Sequence, residues 1–218
     1  MSLVNELVDV CRKVYANKFV SAYDGNISVR SSSNTFLITR SGICKGEVSA
    51  DDILEIDESG RLIKGSGKVS TENKLHLYIY SKRPEVNSVV HCHPIYASAF
   101  AVHGEGMTKH VLPEVVLSLG KVPLCKYATP STDDLLKSLE PHINYSWALL
   151  LQNHGAVTLG KNLKDAYYKM EKLEHTAKII FLARMLGGER ELHVEKVQEL
   201  LKISKETYSV DQDLRNIF

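Results

Sequence analysis

Two short segments carry the residue types of a metal site. In His91-Cys92-His93-Pro94, two histidines stand two positions apart at the end of an apolar stretch that reads as a strand over residues 86–93. Residues i and i+2 of a strand point to the same face of a sheet, so these two imidazoles are expected side by side. In Asn153-His154-Gly155, a third histidine follows another apolar run, at a turn where Gly155 permits unusual backbone angles. Three imidazoles and one open position are the ligand set of a catalytic zinc ion.

Simpler explanations exist for each histidine. Nine histidines in 218 residues produce a His-x-His spacing by chance often enough to make it weak evidence. His154 alone is more often a turn or core histidine. The case for a metal site therefore depends also on a further segment, residues 65–72 (Gly-Ser-Gly-Lys-Val-Ser-Thr-Glu).

This third segment leads into a helix predicted over residues 71–82, with Ser70 as its N-cap. Free backbone N–H groups and the helix dipole at such a terminus favour phosphate. The glycine spacing is not that of a Walker A loop. A plain helix cap, with Glu72 interacting favourably with the dipole, explains the same residues.

Composition excludes several classes of function. The chain is 44% hydrophobic and 24% charged, as in ordinary globular proteins. Its net charge of +1 gives no electrostatic drive toward nucleic acid or an anionic membrane. No apolar run has the length of a transmembrane helix, and the first residues do not resemble a signal peptide. The four scattered cysteines form no Cys-x-x-Cys pair and are expected as free thiols, so we expect a cytoplasmic location.

Strand and helix patterns alternate along the whole chain. Helices are predicted over residues 3–18, 71–82, 95–102, after Pro113, 131–140, 162–186 and 194–203, and strands over 26–39 (a hairpin), 51–57, 86–93, 147–152 and 156–159. Pro94 suits a first helical position, and Gly187-Gly188 ends the long helix. No linker or repeat divides the chain, so we expect one layered α/β or α+β domain over residues 1–218. Its core would cover about residues 3–187, with a C-terminal helix and tail over 188–218.

Several segments occur in a recognisable order. They are Asp24-Gly25-Asn26-Ile27-Ser28, Thr39-Arg40-Ser41-Gly42, Ser70-Thr71-Glu72 with His76, Arg83-Pro84-Glu85 leading to His91-Cys92-His93, Tyr127-Ala128-Thr129-Pro130, and Asn153-His154-Gly155. In this order they resemble the class II aldolase/adducin family, over about residues 3–187. That family includes aldolases for L-fuculose 1-phosphate and rhamnulose 1-phosphate, L-ribulose-5-phosphate 4-epimerase and methylthioribulose-1-phosphate dehydratase.

The resemblance implies a role for each matching residue. It assigns zinc ligation to His91, His93 and His154, acid/base catalysis to Glu72, and phosphate binding to Asn26, Ser41, Gly42, Ser70 and Thr71. It further implies a three-layer α/β/α sandwich around a largely antiparallel sheet, assembled as a homotetramer with active sites at subunit interfaces. Mn²⁺ or Co²⁺ could replace Zn²⁺, because three imidazoles accept several divalent metals.

The leading functional hypothesis is a zinc-dependent aldolase. It would cleave a 1-phosphorylated ketose, such as L-fuculose 1-phosphate, to dihydroxyacetone phosphate and an aldehyde through an enediolate that the cation stabilises. The alternatives are L-ribulose-5-phosphate 4-epimerase and methylthioribulose-1-phosphate dehydratase. A non-catalytic adducin-like interaction module is a further alternative, but such members lack the metal-binding histidines that this chain retains.

One segment departs from the family pattern. Fuculose aldolases carry a tyrosine proton donor in the segment corresponding to residues 112–117, and this chain has no tyrosine between Tyr96 and Tyr127. We hypothesise that Glu114 lines the site and replaces that donor. Alternatively, Glu114 only interacts with a helix dipole. Tyr208, in the C-terminal tail, is a second candidate donor.

The neighbours of two further side chains in the sequence suggest where each one lies. His76 lies one helical turn after Glu72 and is expected on the same helix face, near the site. Lys45 is expected on a solvated helix face.

Overall fold

The computed structural model describes residues 1–208 and 212–218, apart from the side chain of Tyr208. Its strands are β1 (Asn26–Arg30), β2 (Thr35–Thr39), β3 (Ile53–Asp57), β4 (Leu62–Lys64), β5 (Ser88–Cys92), β6 (Leu124–Cys125), β7 (Ala148–Leu151) and β8 (Gly155–Gly160). They form one eight-stranded sheet in the order β4-β3-β2-β1-β5-β8-β7-β6. Every neighbouring pair is antiparallel except β6 and β7.

Helices cover both faces of this sheet. They are α1 (Leu3–Ala16), α2 (Asn73–Lys82), α3 (Ile95–His103), α4 (Pro113–Ser118), α5 (Asp133–Leu139), α6 (Leu163–Met185) and α7 (Val194–Tyr208). Apolar residues of α1, α3 and α6 pack on one face of the sheet, and those of α2 and α5 pack on the other. The two cores confirm the predicted α/β/α sandwich. In the part of the chain that the structure describes, no helix is long and apolar enough to cross a membrane.

The middle of the sheet is covered on both faces, which explains the near-continuous apolar sequence of its strands. All residues of β5, β7 and β8 are buried. Strand β5 pairs with β1 through Asn26 opposite His91, and with β8 through Cys92 opposite Ala156. The register therefore brings the end of β5, the start of β1 and the β7–β8 turn to one edge of the sheet.

Three local expectations were wrong. Ser70 is not the N-cap of α2; Glu72 occupies that position, because the backbone first makes a turn in which the Asn73 N–H donates to the Ser70 carbonyl. Pro94 is the N-cap of α3 rather than its first helical residue. The positive φ at the β7–β8 turn belongs to Asn153, at 54°, and Gly155 is not left-handed.

Candidate active site

Three histidines meet at the edge where β5 ends. His91 is on β5, His93 follows it, and His154 lies in the β7–β8 turn, with one ring nitrogen of each within 4.8 Å of the others. The Nε2 atoms of His91 and His93 are 3.3 Å apart. Two nitrogens bound to one tetrahedral zinc ion at the usual bond length lie about 3.3 Å apart. The His91 Nδ1–H donates to the Ala156 carbonyl at 3.0 Å, which leaves Nε2 as the ligating atom.

The protonation state of the cluster also suits a metal. Burial lowers the pKa of His91 well below its ordinary value, and burial likewise lowers the pKa of His154. Neutral imidazole is the form that binds metals. Both rings therefore offer lone pairs at neutral pH without first releasing a proton.

Glu72 supplies an independent test of whether a cation fits. Its Oε1 lies 3.3 Å from His154 Nε2 and 3.7 Å from His91 Nε2. This oxygen is buried and has no hydrogen-bond partner within residues 1–208 and 212–218. A buried carboxylate oxygen without a partner is costly unless a cation or a donor satisfies it. The donor set of three imidazoles and one adjacent carboxylate therefore fits a divalent metal such as zinc.

Gly155 is required for space rather than for flexibility. A Cβ atom built there would lie 2.6 Å from the Cys92 carbonyl oxygen and would overlap the His93 ring. The ring of His93 thus rests on the backbone of the β7–β8 turn. Only glycine allows the two segments that carry the three histidines to come this close.

A cavity of about 290 Å³ opens beside the histidines. Its lining includes every residue predicted to bind phosphate, together with the acid/base candidate and one histidine: Asn26, Ser41, Gly42, Ser70, Thr71, Glu72 and His93. The structure thus brings these residues together from β1, the loop after β2 and the turn before α2. Their assignment as phosphate ligands stays a prediction.

Two cations that line the same cavity change its electrostatics. Lys45 was expected on a solvated surface, but it is only 1% exposed, and its Nζ donates to the carbonyls of Ile43 at 2.8 Å and Tyr23 at 3.2 Å. The expectation failed because the segment folds as a loop back under the cavity instead of forming a surface helix. Arg40 also lines the cavity and pairs with Asp52 at 2.6 Å. The buried Lys45 ammonium favours an anionic ligand, whereas the Arg40 side chain is 34% exposed and its charge is already paired.

The second carboxylate oxygen of Glu72, Oε2, accepts a hydrogen bond from a buried network. Asn26 Nδ2 donates to Glu72 Oε2 at 2.6 Å, and the Asn26 Oδ1 lies 2.5 Å from His76 Nε2. His76 Nδ1 lies 2.6 Å from Ser28 Oγ, which lies 2.7 Å from the hydroxyl of Tyr80. His76 therefore reaches Glu72 through Asn26, and its position one turn along α2 is the sequence signal that pointed to it.

The two candidate proton donors are placed differently. Glu114 is exposed at the start of α4 and is not among the residues that line the cavity of this chain. The side chain of Tyr208 lies outside the described residues. A catalytic role for either residue stays a prediction.

The sequence and the fold both match known proteins. Residues 5–181 match the family model for the Class II Aldolase and Adducin N-terminal domain. The chain belongs to the class II aldolase family. It is 34% identical to an L-fuculose phosphate aldolase of Methanococcus maripaludis, over 84% of this chain and 98% of that protein. It is 33% identical to a 3-oxo-tetronate 4-phosphate decarboxylase of Pectobacterium atrosepticum, over 91% of each chain.

The fold is also similar to that of a solved structure. The structure named L-fuculose 1-phosphate aldolase superposes on this chain with a TM-score of 0.86 at 27% identity, covering 93% of this chain and 96% of that one. Class II aldolases are metal-dependent, and the group of His91, His93 and His154 is the candidate metal site. The similarity to both an aldolase and a decarboxylase leaves the family established and the substrate open.

Proposed function

We propose that this protein is a divalent-metal lyase that breaks a carbon–carbon bond in a phosphorylated keto substrate and releases dihydroxyacetone phosphate. The observation that carries the proposal is the position of Glu72. Its carboxylate stands between the three-histidine cluster and a cavity lined by hydroxyl groups, a left-handed glycine and buried positive charge. A keto group and a phosphate on one small substrate would occupy both places at once.

Each group has a separate task in this proposal. Ser41, Gly42, Ser70, Thr71 and Asn26 bind the phosphate and so orient the rest of the substrate. His91, His93 and His154 would hold Zn²⁺, or Mn²⁺ or Co²⁺ in its place. When bound, that ion supplies Lewis-acid polarisation of the keto oxygen and stabilises the negative charge that develops there. Glu72 gives a proton to the carbon that loses its substituent, or takes one in the reverse direction.

The first candidate reaction is the aldol cleavage of a 1-phosphorylated ketose such as L-fuculose 1-phosphate. The similarity to L-fuculose phosphate aldolases in sequence and in fold supports it. The bond that breaks joins the carbon beside the ketone to a carbinol carbon, whose hydroxyl proton must be removed as the aldehyde leaves. This reaction therefore needs a base on the aldehyde side of the site, and Glu114 of a neighbouring subunit is our candidate.

The second candidate is the decarboxylation of a 3-oxo acid phosphate. It is favoured by the similarity to a 3-oxo-tetronate 4-phosphate decarboxylase and by the lack of tyrosine between Tyr96 and Tyr127. A carboxylate leaves as carbon dioxide without giving up a proton, so no base is needed on that side. Loss of carbon dioxide from a 3-oxo-tetronate 4-phosphate, followed by protonation of the same carbon, also gives dihydroxyacetone phosphate.

One assay separates the candidates. The metal-loaded protein is incubated with L-fuculose 1-phosphate or with 3-oxo-tetronate 4-phosphate, and dihydroxyacetone phosphate is measured together with aldehyde and carbon dioxide. Aldehyde in equal amount supports the aldolase, and Glu114→Gln should then lower turnover. Carbon dioxide in equal amount, with Glu114→Gln unaffected, supports the decarboxylase. No dihydroxyacetone phosphate from either substrate, with metal bound, would refute the proposed function.

We further propose that the protein assembles as the homotetramer implied by its family resemblance. A set of large apolar side chains on α3, α6 and the turn after α6 is exposed in the single chain: Ile95, Val102, Phe181, Leu182, Met185 and Leu186. Exposed apolar patches of this kind mark contact surfaces. Light scattering on the purified protein tests the assembly, and a monomeric mass at micromolar concentration would refute it.

A further inference from the structure

A chain of buried polar side chains runs from Glu72 into the layer between α2 and the sheet. It passes from Glu72 through Asn26, His76 and Ser28 to Tyr80, with successive polar atoms 2.5 to 2.7 Å apart. Asn26, Ser28, His76 and Tyr80 are each at most 4% exposed. Outside this chain, the Tyr80 oxygen also accepts a hydrogen bond from the Val89 backbone N–H, which leaves its own O–H to be donated elsewhere. The direction of each bond in the chain then follows from donor and acceptor chemistry.

The Glu72 end fixes one direction. The Asn26 NH₂ group donates to Glu72 Oε2, so the Asn26 Oδ1 faces His76. His76 Nε2 must therefore carry a proton to donate to that oxygen. Burial lowers the pKa of His76 to about 3, so the ring is neutral and its Nδ1 accepts. Ser28 then donates to Nδ1, and Tyr80 donates to Ser28.

The Tyr80 end leads independently to the same order. Burial raises the pKa of the Tyr80 hydroxyl, which therefore stays protonated and requires an acceptor. Ser28 Oγ is the acceptor that lies within 2.7 Å. The reverse order would place a proton on Glu72 Oε2 and would leave the Tyr80 O–H without an acceptor among the hydrogen bonds of the described chain. A buried donor left unpaired costs about 1–3 kcal/mol, which disfavours the reverse order.

We propose that His76 is a positioning residue whose Nε2–H holds the Asn26 amide so that it donates to Glu72 Oε2, which leaves Oε1 as the oxygen that exchanges a proton with substrate. This inference rests on the proposed acid/base role of Glu72. Oε2 is occupied by the Asn26 donor, whereas Oε1 is the unpartnered oxygen that faces the histidine cluster. One N–H of Asn26 is used by Glu72, and the other stays free for the cavity. His76 thus orients the acid/base carboxylate without touching the substrate.

The first test does not depend on activity. Long-range ¹H–¹⁵N spectra of the metal-free protein, assigned with a His76→Gln variant, report which ring nitrogen of His76 carries the proton. We expect the proton on Nε2 at neutral pH. A proton on Nδ1 would overturn the inference, whatever the reaction proves to be.

The second test isolates the step that both candidate reactions share. The metal-loaded protein is incubated with dihydroxyacetone phosphate in deuterated water, and exchange of its carbon-bound hydrogen is followed by NMR. His76→Leu should slow exchange by about 10–100-fold, as loss of a partner that orients a site residue does, with little change in the half-saturating concentration. His76→Gln should restore most of the rate, because a glutamine amide both donates and accepts.

The outcomes distinguish this inference from the proposed function. No exchange by the unmodified protein would count against the proposed function. Exchange by the unmodified protein that His76→Leu leaves unchanged would overturn the role of His76. Equal losses in His76→Leu and His76→Gln, with metal still bound, would also overturn it, because a merely structural role does not depend on the donor. Ser28→Ala is the matched control, because it removes the hydrogen bond to His76 Nδ1 but leaves the Nε2–H in place. Its exchange rate should therefore fall less than that of His76→Leu.

Discussion

A single methyl group at Gly155 should weaken metal binding. In Gly155→Ala, the new Cβ would start 2.6 Å from the Cys92 carbonyl oxygen, whereas real Cβ atoms essentially never come closer than 3.0 Å to such an atom. The turn and the end of β5 must therefore separate by at least about 0.4 Å, and the overlap with the His93 ring is more severe. Metal–ligand distances tolerate only about 0.2 Å. Because His93 and His154 sit on the two segments that separate, they can no longer bind one ion with normal bond lengths.

The expected effect is at least a 100-fold increase in the metal dissociation constant, or about 2.8 kcal/mol. A competition titration with a chromophoric chelator measures it. Gly160→Ala is a control of similar severity at the other end of β8, since its Cβ would overlap the backbone of Ala166. That variant should lose stability but keep its metal affinity. A Gly155→Ala protein that is folded and binds zinc as tightly as the unmodified protein would refute the assignment of the metal site.

Three further perturbations test other parts of the molecule. Glu72→Gln should lower turnover by about 10²–10⁴-fold while metal content measured by plasma mass spectrometry is retained, because the amide cannot shuttle a proton; unchanged turnover would contradict the role. Removing the metal with a chelator should lower the thermal midpoint, by the equivalent of about 2.7 kcal/mol if free metal was at 100 times its dissociation constant. The hydrogen bond and charge of Arg184 hold the pKa of Glu189 at about 2, below its ordinary 4.5. On acidification the folded state takes up this proton at a lower pH than the unfolded state, so the stabilisation is complete above pH 4.5 and is lost as the pH falls toward 2. The free energy of unfolding in urea should therefore decrease less on acidification for Glu189→Gln than for the unmodified protein.

The side-by-side placement of His91 and His93 could be predicted from local sequence because it depends on strand geometry. Alternation along β5 places His91 on one face, and the next residue of the same parity is His93. Their ring centroids are 5.0 Å apart in the structure. His154 lies beside these two histidines because β5 pairs with β8, and the hydrophobic periodicity of the sequence does not reveal which strands pair. The family resemblance supplied that link.

What sequence reasoning missed depends on contacts between segments distant in the chain. Lys45 looks like any surface lysine in its local sequence, and its burial is visible only when the loop folds under the cavity against Tyr23. The hydrogen bond between Asn26 and Glu72 joins residues 46 positions apart. The role of Gly155 was misjudged because a glycine needed for space and one needed for a left-handed backbone look the same in sequence. Neighbouring Asn153 adopts the positive φ, and asparagine does so more often than most residues, but this preference is weaker than that of glycine.

The side chains described above account for one half of the proposed reaction. The histidines, Glu72 and the cavity would handle the ketone, the phosphate and the carbon between them, which is the half that aldol cleavage and decarboxylation share. For the other half, acceptance of the hydroxyl proton of a departing aldehyde, the cavity of this chain offers Asp24 and Tyr23, and Glu114 is exposed on α4. If Glu114 of a second subunit completes the site, the assembly decides that the enzyme is an aldolase. If no subunit supplies a base, a leaving group that needs none, carbon dioxide, is the one that the chemistry allows.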